Sequence, residues 1–269
     1  MSTEDWITGE VDPGKPNAAR MYDYFLGGYH NFEIDRAFAE QVLLITPHLR
    51  LTAQISRAFL RRAIRYVVGQ GVGQILDIGS GIPTIGNVHE IAQGANPESR
   101  VVYADIDPVA VAHSKAILTG NANAAAIRGD VRAPEEILSH PDVTRLLDFS
   151  RPVAVVMAAL LHWVPDDAQA YAVVRRLRDA VVPGSYLVIA HGVPDTQPQE
   201  LAERLNKAVD KVTVAKNRTP AEILPFFEGT ELVEPGLVLT PLWRPEGPDD
   251  VGLDKPEIAL CMAGVGRKL

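Results

Sequence analysis

Cysteine is almost missing from this chain: Cys261 is the only one in 269 residues. That excludes an intrachain disulfide and a thiolate zinc cage, and it fits a reducing, cytoplasmic setting. A basic excess is missing too. With 26 basic and 34 acidic residues the formal charge is −8, so the chain has no global electrostatic reason to bind nucleic acid. The acidic opening MSTEDWITGEVDPGKP lacks the basic start and apolar stretch of a secretion signal, and export is not expected. The longest apolar run, from Val153 to Val164, contains His162 and is 12 residues long, against the roughly 20 that a membrane-spanning helix needs. A soluble protein with no membrane partner is expected. None of H-E-x-x-H, G-x-S-x-G and G-x-x-x-x-G-K-[ST] occurs, which removes the commonest zinc-protease, esterase and P-loop readings.

What is present is an ordinary globular composition, 46% hydrophobic and 22% charged. Length and composition suit one large α/β domain with an appendage. Residues 1–70 read as an N-terminal helical arm or lid, and residues 71–269 as the main domain. From Asp35 to Val68, with a break near Thr46-Pro47, apolar Leu51, Ile55, Phe59, Leu60, Ile64 and Val67 recur at helical spacing. Arg57, Arg61, Arg62 and Arg65 are placed on the opposite, solvated face. After Gly71 short apolar runs alternate with helical stretches, the mark of βαβ units and a parallel sheet. Strands are expected at Gln74 to Ile78, Arg100 to Ala104, Ala124 to Arg128, Val153 to Ala158 and Tyr186 to His191. Helices are expected near Thr84 to Gln93, Val109 to Leu118, Glu135 to Leu138, Asp167 to Val181, Gln199 to Ala215 and Pro220 to Phe227. Two late runs, Leu232 to Leu242 and Glu257 to Gly264, read as a final antiparallel strand pair.

The chemistry concentrates at Q-I-L-D-I-G-S-G-I-P-T, residues 74 to 84. A strand carrying Asp77 runs into Gly79-Ser80-Gly81, where missing side chains let a ligand approach the backbone. In an open parallel sheet that first βα turn is the usual ligand position. A dinucleotide fingerprint needs a third glycine where this chain has Thr84, the next being Gly86. An acid at the strand end repels pyrophosphate and suits a cation instead. S-adenosylmethionine (SAM) carries a sulfonium and an ammonium and no phosphate, and it matches such a pocket. One strand later, in V-V-Y-A-D-I-D-P, Asp105 with its neighbour Ile106 stands where a carboxylate can accept from both ribose hydroxyls. Asp107 suits a cap on the helix that opens at Pro108. In R-G-D-V, Asp130 can accept from an adenine amino group while Val131 donates its backbone N–H; a simple turn-forming role for Asp130 stays open.

With D-I-G-S-G, Y-A-D-I-D-P and R-G-D-V in this order, the chain resembles a seven-stranded SAM-dependent methyltransferase. The run D-P-G-K-P-N-A-A-R-M-Y-D-Y-F-L-G-G-Y-H-N-F-E-I-D-R (12 to 36) is similar to the signature of the S-adenosyl methyltransferase family, formerly a domain of unknown function. I-P-T-I-G-N-V-H-E-I-A-Q, L-H-W-V-P-D and E-P-G-L-V carry the same likeness. The resemblance implies a Rossmann-like class I α/β fold, with a mixed sheet of order 3-2-1-4-5-7-6, the last strand antiparallel, and helices on both faces. It implies SAM as cofactor and S-adenosylhomocysteine as product. It assigns Asp77, Gly79 and Gly81, with Ser80 between them, to the methionine end, Asp105 to the ribose and Asp130 to the adenine.

The N-terminal run holds Tyr22, Tyr24, Phe25, Tyr29, His30, Asn31 and Phe32 around Gly27-Gly28. This density suggests a cover that bends at the glycines, with Arg20, Tyr22 or Asn31 reaching bound groups and Tyr24 and Tyr29 facing the substrate. A fixed arm whose aromatics are only core is the alternative. His162, after the fourth strand, is the candidate general base, with Trp163 as pocket wall and His191 as a second candidate. For His162 the competing role is to shape the pocket or hydrogen-bond the backbone, and for Trp163 simple core is favoured over a pocket wall. No metal site is expected. The expected reaction is methyl transfer from SAM to an O, N or C nucleophile, with a small-molecule acceptor favoured by the acidic balance. An NAD-dependent oxidoreductase and a SAM-binding regulator without turnover are the competing readings.

Overall fold

Short apolar runs closed by glycine or polar residues become the strands of one sheet in the computed structural model, which describes residues 12–83, 86–194 and 215–269. They are β1 (Gln74–Ile78), β2 (Arg100–Asp105), β3 (Ala124–Arg128), β4 (Ala154–Ala158), β5 (Tyr186–Gly192), β6 (Thr230–Leu232), β7 (Val238–Leu239) and β8 (Cys261–Lys268). The order is β3-β2-β1-β4-β5-β8-β6, and β7 pairs with β8 off this path. β1 to β5 are parallel neighbours, and β8 runs antiparallel to β5 and β6. This is the expected 3-2-1-4-5-7-6 arrangement, with the last strand counted eighth because the two-residue β7 intervenes.

β1 is buried at every position, as a parallel strand covered on both faces must be. On one face α3 (Leu49–Gly69) and α4 (Val88–Ala95) contribute Phe59, Leu60, Ile64, Val67, Val88 and Ala92 to a cluster with Ile75, Val101 and Val188. On the other, α6 (Pro134–Leu138), α7 (Pro141–Leu146) and α8 (Asp167–Asp179) supply Ile137, Val143 and Leu177 to a cluster with Leu76, Ile78 and Val155. Each such side chain contributes about 1.5–3 kcal/mol by leaving water. α5 (Pro108–Ile117) opens with Asp107 as N-cap, its carboxylate accepting from Val109 N at 2.8 Å, and with proline in the first turn. That side chain takes the expected cap role.

The arm is α1 (Ala18–Phe25) and α2 (Glu33–Ile45), whose Met21, Phe25, Ala39 and Val42 form a small core with Ala53 of α3. The expected break falls at Thr46, where the chain leaves α2 before α3 begins. α3, assigned from sequence to the arm, covers the sheet.

Three expectations need correction. Arg62 is not on a solvated face: it is 4% exposed, because residues 240–250 cover that side of α3. Its guanidinium donates to the carbonyls of Trp243 and Thr240 and to Asp250, at 2.9, 2.7 and 2.8 Å. Arg61 and Arg65 pair with Glu246 on the outside, and Arg57 turns inward, as shown below. The late strands are also shorter and shifted. A turn at Gly236 divides the run 232–242, and a 3-10 turn at Pro256–Ile258 delays β8 to Cys261. Finally, α4 starts at Val88, behind a capping box of Asn87 and Glu90, four residues later than expected. The helix expected at 199–215 lies, apart from residue 215, outside the described residues.

Candidate functional site

The carboxyl ends of β1, β2, β3 and β4 converge on the glycine turn. Gly79 and Gly81 have φ of +69° and +67°, a region side chains avoid. A Cβ on Gly79 would stand 2.5 Å from Leu160 Cδ1, so the first glycine is required by packing after β4. A Cβ on Gly81 would meet nothing within 4 Å among the described residues. Among the described residues the second glycine therefore faces open space at the carboxyl end of β1.

Asp105 fastens this turn to β2. Its Oδ2 accepts from Gly81 N at 2.7 Å and its Oδ1 from Asp107 N at 2.9 Å, while its carbonyl accepts from Gly129 N at 2.9 Å, tying in the end of β3. Burial raises its pKa to about 6 against these bonds. Asp77 is buried deeper, and burial raises it to about 7, with Arg57 pulling it down and Asp105 pushing it up. Ile106 stands beside the pair with half its surface in water, an uncovered apolar wall. A cation accepted here restores both carboxylates to their charged form, so the residues present fit SAM: two buried acids, a side-chain-free turn and an apolar wall.

The other cofactor candidates sit around this centre. Asp130 is held by Arg132, with Nε 2.9 Å and Nη2 2.6 Å from its oxygens, and its pKa is lowered by that bond. Val131 is buried in the cluster with Ile137. Arg20 is buried. Its Nε donates to Asp35 at 2.7 Å, Nη2 to Lys15 O at 2.6 Å, and Nη1 lies 3.8 Å from Asp107. Tyr22 donates to Ala53 O at 3.2 Å, and burial raises its pKa to about 12.

Three arm residues point elsewhere. Tyr24 bonds Glu40 under the Arg50 guanidinium on the arm's surface. Tyr29 is 93% exposed. Asn31 donates to Asp23 at 2.8 Å and to Gly28 O at 3.0 Å. Asp23 also accepts from His30 N, and a Cβ on Gly28 would overlap its carboxylate, so the loop is pinned at this point. Phe32 packs on Ile82 and Val109, and His30 meets His113 of α5 with ring centroids 4.0 Å apart. Residues 30–32 thus lie against the rim of the glycine turn.

On the far side of the turn, His162 sits in a 3-10 turn at Leu161–Trp163 after β4. Its ring lies 4.7 Å from Trp163 and 5.7 Å from His191 between centroids. Burial, with His191 and Arg218 adding to it, pushes its pKa down to about 3. Its Nδ1 is buried without a hydrogen-bond partner among the described residues. His191 is fully buried. Arg218 Nη1 donates to its Nε2 at 3.0 Å, so Nδ1 carries the proton and donates to Gly192 O at 2.8 Å. Its pKa falls to about 4, and it stacks on Phe226.

Two arginines missed from the sequence complete the picture. Arg218, fully buried, donates to Leu161 O, Val164 O and Asp167 and so holds the turn that carries His162. Nothing in its K-N-R-T-P surroundings signals this. Arg57 had a signal: it precedes Leu60 by three residues and Ile64 by seven, on the buried stripe.

Comparison with known proteins bears on the family and the fold. A family model described as S-adenosyl methyltransferase matches residues 4–269. A solved structure from Thermobifida fusca, of a proposed methyltransferase, is 43% identical over 98% of this chain and 99% of its own, with a TM-score of 0.91. A DUF574 family protein from Streptomyces avermitilis is 35% identical over 96% and 99%, with a TM-score of 0.90. Human N-acetylserotonin methyltransferase, solved with SAM, shares the fold at 16% identity and a TM-score of 0.51, over 95% of this chain and 63% of its own. No match is found among the curated proteins.

Proposed function

The chain belongs to the S-adenosyl methyltransferase family, and from that premise we propose that it moves the methyl group of SAM to an oxygen, nitrogen or carbon nucleophile of a small molecule. The observation that carries this reading is the pair of buried carboxylates, Asp77 and Asp105, beside the open turn at Gly81. When bound, SAM supplies a methyl group on an already activated sulfonium. The protein's part is alignment and exclusion of water. Asp77 and Asp105 balance the cofactor's cationic end and its ribose, Ile106 and Val131 flank the adenine, and Asp130 accepts from its amino group. Residues 30–32 of the arm cover the rim.

His162 stays neutral at working pH, because a group with a pKa of about 3 holds almost no proton there. Its role is to accept, at the unpartnered Nδ1, a hydrogen bond from the O–H or N–H of the methyl acceptor and so orient it, more than to store a proton. His191 supports it from behind, through its contacts with Arg218 and Gly192 O. A small acceptor suits the formal charge of −8, which repels polyanions. No described helix is long and apolar enough to cross a membrane, and the single buried Cys261 suits a reducing cytoplasm.

Titration calorimetry with S-adenosylhomocysteine and NAD, followed by transfer from methyl-labelled SAM into fractionated small molecules, RNA and protein, tests the reading. Homocysteine-ligand binding without NAD binding, and label entering the small-molecule fraction, is the expected result. Label found only in RNA or protein overturns the acceptor class, and tight cofactor binding with no transfer to any fraction favours a regulator.

A further inference from the structure

One charge sits beside the buried stripe of α3. Arg57 shares a helical face with Leu60 and Ile64, which cluster with Ile75 of β1. Asp77, two residues along β1, points to the same side of the sheet as Ile75. The guanidinium and the carboxylate therefore face one another at the ligand end of the helix–sheet interface. Of the charges acting on Asp77, Arg57 has the largest influence. The guanidinium carbon is 5.9 Å from the centre of the Tyr22 ring. Arg57 Nε is buried with no hydrogen-bond partner among the described residues.

Arg57 as a whole is half-buried, and the fully buried arginines differ from it sharply. Arg20, Arg62 and Arg218 each donate to two or more carbonyl or carboxylate oxygens. Arginine cannot shed its charge, and a buried donor left unmade is costly. Arg61 Nε is buried without a partner as well, but that side chain pairs through Nη2 with Glu246 on the outside; Arg57 stands beside the acid of the glycine turn instead.

Resting on the cofactor reading above, we propose that Arg57 receives the α-carboxylate of the methionine moiety of SAM while Asp77 takes its α-ammonium. A helix and a strand then present two opposite charges to a zwitterion, and the planar guanidinium suits a carboxylate. The site thereby reads the amino-acid end of the ligand and not the nucleoside alone.

The test is calorimetry on the full chain with two ligands, S-adenosylhomocysteine and 5′-methylthioadenosine; both carry adenosine and an uncharged sulfur, and only the first carries the amino acid. Arg57→Gln is expected to weaken S-adenosylhomocysteine by about 10- to 100-fold, the range for a hydrogen bond to a charged group. It is expected to leave methylthioadenosine within a few-fold of wild type, which also reports that the variant folds. Arg57→Lys, keeping the charge and losing the fork, is expected to lie between. Unchanged homocysteine-ligand affinity in Arg57→Gln overturns the assignment, and so does an equal loss for both ligands in both variants, which makes Arg57 a support of the fold. A wild-type chain that binds neither ligand overturns the cofactor reading itself.

Discussion

Arg20 Nη1 stands 3.8 Å from Asp107 Oδ2, with the two side chains 4% and 2% exposed. The arm's buried arginine thus ends on the residue that caps α5, two positions beyond the acid assigned to the ribose. Through Asp35, which accepts from Asn17 N, Phe32 N and Arg20 Nε, the same arginine also locks the starts of α1 and α2 together.

Arg20→Met removes that cation and leaves two carboxylates buried without it. The expected loss is about 3–5 kcal/mol, the range for breaking a buried ion pair from one side. A urea denaturation series checks it. Asp107→Asn, which keeps the cap oxygen, is expected to cost much less.

Cofactor affinity is expected to depend on pH through Asp77 and Asp105. Their folded pKa values, about 7 and about 6, lie above the ordinary 3.8, so the folded chain holds more protons than the unfolded one. Ligand-free stability therefore falls as pH rises from about 4 to about 7, by at most about 1.4 kcal/mol per unit for each group. A cationic ligand reverses the preference, so affinity for S-adenosylhomocysteine rises over the same interval and levels off above it. Calorimetry near pH 6 in buffers of different ionisation enthalpy is expected to detect proton release.

His162→Ala is expected to lower kcat by about 10- to 100-fold, the effect of one hydrogen bond made near the reacting atoms, with the dissociation constant of S-adenosylhomocysteine unchanged. The wild-type pH–rate profile is expected to show no inflection near 6.5 from this ring, since its pKa lies near 3. An inflection there that vanishes in the variant returns His162 to the role of general base.

The two glycines of the turn are expected to fail differently. Gly79→Ala drives a methyl group into Leu160 and is expected to lower stability by about 1–3 kcal/mol. Gly81→Ala meets no neighbour among the described residues, so its expected stability cost is that of the positive φ, about 1 kcal/mol, while ligand affinity is expected to fall further than stability does. Melting curves and calorimetry on both variants separate the effects.

The central strands were legible because their physics is local. β1 and β3 begin and end at the residues expected, since an apolar run stopped by glycine or a polar residue leaves little choice of register. The acids of the turn followed from the same pattern. Long-range coverage was not legible. Arg62 looks solvated on a helical wheel, and it is buried only because residues nearly two hundred positions later fold over it. Arg218 gives no local sign that it anchors the turn of His162. Arg57 lies between these cases: its spacing to Leu60 and Ile64 was there to read, although it was expected on the solvated face with the other arginines, and its carboxylate neighbour comes from another element.

The pinned loop of the arm carries one more consequence. Position 28 admits only a hydrogen atom beside Asp23, and that carboxylate also grips His30 and Asn31. The double glycine is thus a rivet and not a hinge. Bending at that pair is therefore closed to the arm, and α1, the loop and α2 are bound to one another at Asp23 and Asp35.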